Sequence, residues 1–150
     1  NDDQKMHLYP AIKSFFKDDI KGKHFALWGL AFKPNTDDIR EAPALFMIDA
    51  LLADGATVCA FDPEAMNNVK GVVGDKIAYS ESRYEALEGA DALIIATEWN
   101  EFRTPDLSRI ANTLKNKAIF DGRNLFELPT MQKLGFHYIS VGREPITSSL

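Results

Sequence analysis
Three cations are the residues best suited to do chemistry. Lys33 and Arg40 lie in the run Gly29-Leu-Ala-Phe-Lys-Pro-Asn-Thr-Asp-Asp-Ile-Arg-Glu-Ala-Pro43, and Arg123 lies in Phe120-Asp-Gly-Arg-Asn124. Arg123 offers a planar fork of donors and Lys33 a compact point charge, and both geometries suit phosphate oxygens. Each stretch follows an apolar run that breaks at a glycine. In an open α/β sheet the ligand crevice lies outside the carboxyl ends of the strands, which is where these breaks fall. The chemistry this favours is the binding of a diphosphate.

Other residues invite weaker readings. Asp37 and Asp38 have no third partner at metal-ligand spacing, so loop and cap hydrogen bonds are expected of them. Asp62 precedes Pro63 at the end of an apolar run and reads as a turn residue, with a ribose ligand as the alternative. A dinucleotide fingerprint needs G-x-G-x-x-G, whereas Gly29-Leu30-Ala31-Phe32-Lys33-Pro34 supplies one glycine, so a standard grip on NAD is not expected. Phe32 reads equally as a core aromatic or a ligand-facing ring. Trp99 and Phe102 are expected to pack over a strand end, base stacking being the alternative. His7, His24 and His137 are scattered, and Cys59 sits in an apolar run as a small hydrophobe. No catalytic residue and no metal ligand is assigned.

These residues need elements to hold them. Residues 9–20 have helical spacing with Ile12, Phe15 and Phe16 on one face. Apolar runs at 24–30, 57–62, 76–80, 92–97, 117–121 and 137–141 read as strands. Helices are expected at 43–54, 83–88, 106–114 and 130–134, with a mixed segment running to Gly74. In the helix from Pro43, the residues Leu45, Ile48 and Leu52 form an apolar stripe and Gly55 a stop. Strands apolar on consecutive positions, such as Leu93-Ile-Ile-Ala96, suit a parallel sheet covered on both faces. The expected fold is therefore α/β: a Rossmann-like, doubly wound, parallel six-stranded sheet in three α/β/α layers, order 3-2-1-4-5-6. In that order the ends of strands one and five lie roughly 10 Å apart, so Lys33 and Arg123 reach one pyrophosphate.

Composition bounds the rest. The 150 residues, 45% hydrophobic and 26% charged, fit one ordinary globular unit with its own core. A net charge of -5 argues against a broad footprint for nucleic acid or an anionic membrane, so any anion is held locally. One cysteine excludes an internal disulfide. The start Asn-Asp-Asp-Gln-Lys lacks both a methionine and the order of a secretory signal. A cytoplasmic piece of a longer protein is expected.

The long run Gly29 to Pro43, with Phe61-Asp-Pro63, Thr97-Glu-Trp99, Phe102 and Asp121-Gly-Arg-Asn124, resembles the C-terminal domain of the UDP-glucose/GDP-mannose dehydrogenases. Asn1-Asp-Asp-Gln4 is similar to the exit from the family's central helical domain. The resemblance implies residues 1–20 as linker and helix, 21–143 as a Rossmann-like UDP-sugar-binding domain and 144–150 as a tail. It implies two successive NAD-dependent oxidations of the UDP-glucose C6 alcohol to a carboxylate, through a thioester on a cysteine of another domain. UDP-N-acetylhexosamine and GDP-mannose stay open as substrates. Phe32, Lys33 and Arg123 match substrate-binding positions, and Arg40 matches a position reaching the NAD pyrophosphate. NAD itself would be held mainly by an N-terminal domain, the parent would be a homo-oligomer, and this chain alone would not turn over.

A signalling receiver domain is the reading from another class. Asp37, Asp38 and Thr97 match it superficially, but Tyr79-Ser80 and Arg123 stand where it needs an aspartate and a lysine.

Overall fold
The computed structural model of the chain describes residues 8 to 147; Asn1 to Gln4, His7 and the last three residues lie outside them. Six parallel strands form one sheet: β1 (His24–Trp28), β2 (Thr57–Phe61), β3 (Ala78–Tyr79), β4 (Ala92–Ile95), β5 (Ala118–Asp121) and β6 (His137–Ser140). Their order, 3-2-1-4-5-6, is the expected one, with the order reversing at β1 and β4. Helices α1 (Tyr9–Phe15), α2 (Pro43–Ala53), α3 (Met66–Val73), α4 (Leu107–Thr113) and α5 (Leu128–Leu134) alternate with them on both faces.

Side chains alternate across a strand, so Phe25 and Trp28 face opposite ways. Phe25 meets the Phe16 ring, which follows α1, edge-on at 5.6 Å. Trp28 stacks on Phe102 at 5.1 Å and donates its indole N–H to the carbonyl of Arg83 at 2.8 Å. Both rings are fully buried, as are all four residues of β4 and of β5. Covering a sheet on both faces demands such continuously apolar strands.

Local structure departs from the expected bounds for identifiable reasons. Helix α1 stops at Phe15 rather than Ile20 because Lys17 and Asp18 both take positive φ, 57° and 64°. The buried stripe of α2 is Ala44, Met47, Ile48 and Leu51, with Leu45 and Leu52 only half-buried at its border. Helix α3 occupies the segment that reads as mixed, and the helix expected at 83–88 is a single 3-10 turn, Glu85–Leu87, cut short ahead of Gly89 at φ 74°. Strand β3 keeps two residues because a 3-10 turn, Gly74–Lys76, takes its start. Residues 144 to 147 are tied back: Ile146 exchanges both backbone hydrogen bonds with Tyr138, at 2.7 and 2.9 Å, in an antiparallel bridge.

Candidate functional site
Three loops leave the carboxyl ends of β1, β4 and β5 and bond to one another. The Ala96 amide donates to Trp28, the Thr97 hydroxyl to the Ala31 carbonyl at 2.7 Å, and the Gly122 amide to Ile95 at 2.9 Å. Gly29 makes the first crossing possible. Its φ is +100°, and a Cβ there would lie 2.6 Å from the Thr97 side chain and 2.7 Å from its backbone nitrogen.

Asp62 is a hub that ties the loops after β1 and β4 to its own. Fully buried, it accepts five N–H bonds: from Leu30 and Ala31 at 2.7 and 3.0 Å, from Glu64 and Ala65 at 2.8 Å each, and from the Trp99 indole at 3.1 Å. A buried carboxylate is tolerated when its lone pairs are met in this way. Asp62 is thus a turn residue, as expected, and its oxygens are engaged inside the protein. Trp99 is 8% exposed and Phe102 fully buried, so both pack against the core.

A cleft of about 610 Å³ opens at the carboxyl ends of β4 and β5, beside the loop that follows β1. Phe32, Lys33 and Arg123 all line it, together with Glu41, Gly122 and Leu8. The topology thus brings together the cation pair that lies far apart along the chain. Phe32 is 44% exposed, which places its ring at the cleft and not in the core. The loop carrying Phe32 and Lys33 closes on itself through the Phe32 amide to Asp38 at 2.7 Å, and Asn68 of α3 holds it by donating to the Asp37 carbonyl.

The Arg123 loop is braced from both sides. Asp121, fully buried, accepts from the amides of Arg123 and Leu125 at 2.8 and 2.7 Å and from the Tyr138 hydroxyl at 2.7 Å. Burial and then the neighbouring Asp121 push the Tyr138 hydroxyl well up, so it stays protonated as the donor. Arg143 donates to that hydroxyl and to the Phe126 carbonyl. The Arg123 guanidinium itself meets Glu98, Nη2 to Oε2 at 2.7 Å. The sequence by itself points to no role for Glu98, Tyr138 or Arg143. Glu98 falls inside the Thr97-Glu-Trp99 motif, which was the available signal.

Arg40 is not among the residues lining the cleft. Its side chain, 87% exposed, pairs with Asp38 through Nε and Nη2 at 3.0 and 2.9 Å. That side-chain hydrogen bond, with the Arg40 amide as a second donor, draws the Asp38 carboxyl from 3.8 down to about 2. A lowered folded value means the pair favours the folded loop above the ordinary carboxyl range, and that contribution is lost as pH falls through about 2. A carbon-detected NMR titration is expected to place the Asp38 midpoint near 2 and, in Arg40→Ala, to return it toward 3.8. An unmoved midpoint in the variant would remove this pairing. Cys59 is half-buried on β2, and burial, then Glu85, push its thiol up, away from nucleophilic use. Among the described residues no group of three His, Cys, Asp or Glu side chains is placed to hold a metal, and no helix is long and apolar enough to cross a membrane.

A doubly wound parallel sheet with a cation-lined cleft at the point where strand order reverses defines a nucleotide-binding domain of the Rossmann-like class. Residues 26–128 match the UDP-glucose/GDP-mannose dehydrogenase family, UDP binding domain, and the chain belongs to that family. A UDP-glucose 6-dehydrogenase of Pseudomonas aeruginosa is 43% identical over 145 residues, 93% of this chain and 32% of the relative. Among solved structures, a UDP-glucose dehydrogenase of Pyrobaculum islandicum matches with TM-score 0.77 at 29% identity, covering 95% of this chain and 30% of that one. An NDP-N-acetyl-D-galactosaminuronic acid dehydrogenase of Methanosarcina mazei Go1 matches with TM-score 0.82 at 28% identity, over 96% of this chain and 30% of that one. The chain spans about a third of the length of the relatives it matches.

Proposed function
We propose that this chain is the nucleotide-sugar-binding part of an NAD-dependent UDP-glucose 6-dehydrogenase, with Lys33 and Arg123 holding the diphosphate of the substrate. The observation that carries this reading is their shared cleft, with the exposed ring of Phe32 beside them. A UDP-sugar brings two negative charges, which a lysine and an arginine neutralise while leaving the sugar to reach toward groups outside this chain. Binding energy taken up at the nucleotide would then support oxidation of the C6 alcohol to the carboxylate, for which two NAD molecules would each accept a hydride and water would supply the second oxygen. Isolated, the chain is expected to bind but not to turn over.

The residues present do not fit NAD at the β1 and β2 ends in the usual manner. One glycine stands where three are needed, and the Asp62 carboxylate, at the ribose-ligand position, already accepts five internal N–H bonds. In this reading NAD belongs mainly to another part of the parent enzyme. Arg40, exposed on the loop that supplies Lys33, is the residue of this chain proposed to meet its pyrophosphate. A homo-oligomeric, cytoplasmic parent completes the proposal.

Calorimetric titration with UDP, UDP-glucose and GDP tests it. Uridine nucleotides are expected to bind better than GDP, and Lys33→Ala and Arg123→Ala are each expected to weaken UDP binding about tenfold, the loss of one charge-assisted contact. Undiminished binding in both variants would remove the site assignment. GDP binding tighter than UDP would move the reading to a GDP-mannose enzyme.

A further inference from the structure
We propose that Glu98 is a positioning residue that aims the Arg123 guanidinium at the diphosphate; this rests on the reading of the cleft given above. Arg123 lines the cleft and Glu98 does not, so the carboxylate stands behind the cation. The contact is charge-assisted and half-shielded, 2.7 Å between Nη2 and Oε2 with side chains 33% and 24% exposed. Among the described residues it is the only hydrogen bond the guanidinium makes, so the remaining donors of the fork stay available to a ligand.

The two ends of the side chain are thereby fixed independently. Asp121 holds the Arg123 backbone amide at 2.8 Å and Glu98 holds the tip. Arginine has long, rotamer-rich side-chain freedom, and immobilising it beforehand spares the ligand that ordering. The second oxygen of Glu98, Oε1, is buried without a hydrogen-bond partner. Local packing leaves that oxygen unmet, and among the described residues the side-chain hydrogen bond to Glu98 comes from the arginine. Burial pushes this acid up, yet the Arg123 hydrogen bond and the charges of Arg123 and Arg103 prevail and hold it below the ordinary range, so it is ionised at neutral pH. An anion behind an anion-binding cation opposes the ligand electrostatically, which makes orientation the benefit that retains it.

The experiment is a double-mutant cycle on UDP affinity, measured by calorimetry on the chain, with thermal melts to confirm folding. Glu98→Ala is expected to weaken UDP binding about tenfold, Glu98→Gln, which keeps an acceptor oxygen, about threefold, and neither to alter uridine binding. In an Arg123→Ala background Glu98→Ala is expected to change nothing further. UDP affinity unchanged or increased in both Glu98 variants, while Arg123→Ala still weakens it, overturns the positioning role and leaves the cleft assignment standing. Equal losses in both arginine backgrounds mean a general structural effect and also overturn it. No UDP binding by the unaltered chain overturns the cleft reading, and this proposal with it.

Discussion

Asp62→Ala is expected to destabilise the chain by about 4 kcal/mol and to lower its melting temperature by about 10 °C, the largest effect of any single side chain outside the apolar core. The substitution leaves four backbone amides and the Trp99 indole N–H without an acceptor in a fully buried position. Each orphaned donor costs about 1 kcal/mol or more, and relaxation of the loops recovers only part of the sum. Asp62→Asn is nearly isosteric, yet its amide must point N–H groups at other N–H groups on one side, so a loss of about 3 kcal/mol is expected. Urea unfolding measures both. Amide exchange is expected to quicken at Leu30, Ala31, Glu64 and Ala65 in particular, since these are the groups released. A loss below about 1 kcal/mol for the alanine variant would show that water reaches the site and that Asp62 is no hub.

Gly29→Ala follows, at about 3 kcal/mol. Two penalties combine: a φ of +100° that L side chains rarely adopt, and a methyl placed 2.6 Å from the Thr97 side chain. Trimming the neighbour is not expected to help. The Thr97 backbone nitrogen lies 2.7 Å from the same point, so Thr97→Gly in the same molecule leaves the collision in place. Recovery of stability in that double variant would mean the clash is with the threonine side chain alone. Because Gly29 opens the loop that carries Phe32 and Lys33, UDP binding is expected to weaken in step with stability.

The features legible from sequence are those that depend on local chemistry plus a topology rule. Apolar runs broken by glycine, alternating with helical spacing, fixed the strand order, and the order alone brought Lys33 and Arg123 to one rim. Features set by contacts distant along the chain were not legible. Glu98 stands beside Arg123 only because β4 and β5 pair; its motif marks the residue but does not name its ionic partner. The Asp121, Tyr138 and Arg143 brace depends on β6 lying beside β5 in register. Helix α3 is not legible because Asn67, Asn68 and Gly71 are poor helix formers, and tertiary packing of Val69 and Val73 overrides them. Phe32 was ambiguous for a different reason: an aromatic in a polar loop serves core and ligand equally until its exposure is known.

The antiparallel bridge at Ile146 bears on how this sheet meets other molecules. Strand β6 is a border strand whose outer row of amides and carbonyls would otherwise invite edge-to-edge association and aggregation. Ile146 occupies the Tyr138 pair in that row, while the opposite border, β3, offers only two residues. Neither margin presents a long template for recruiting a foreign strand.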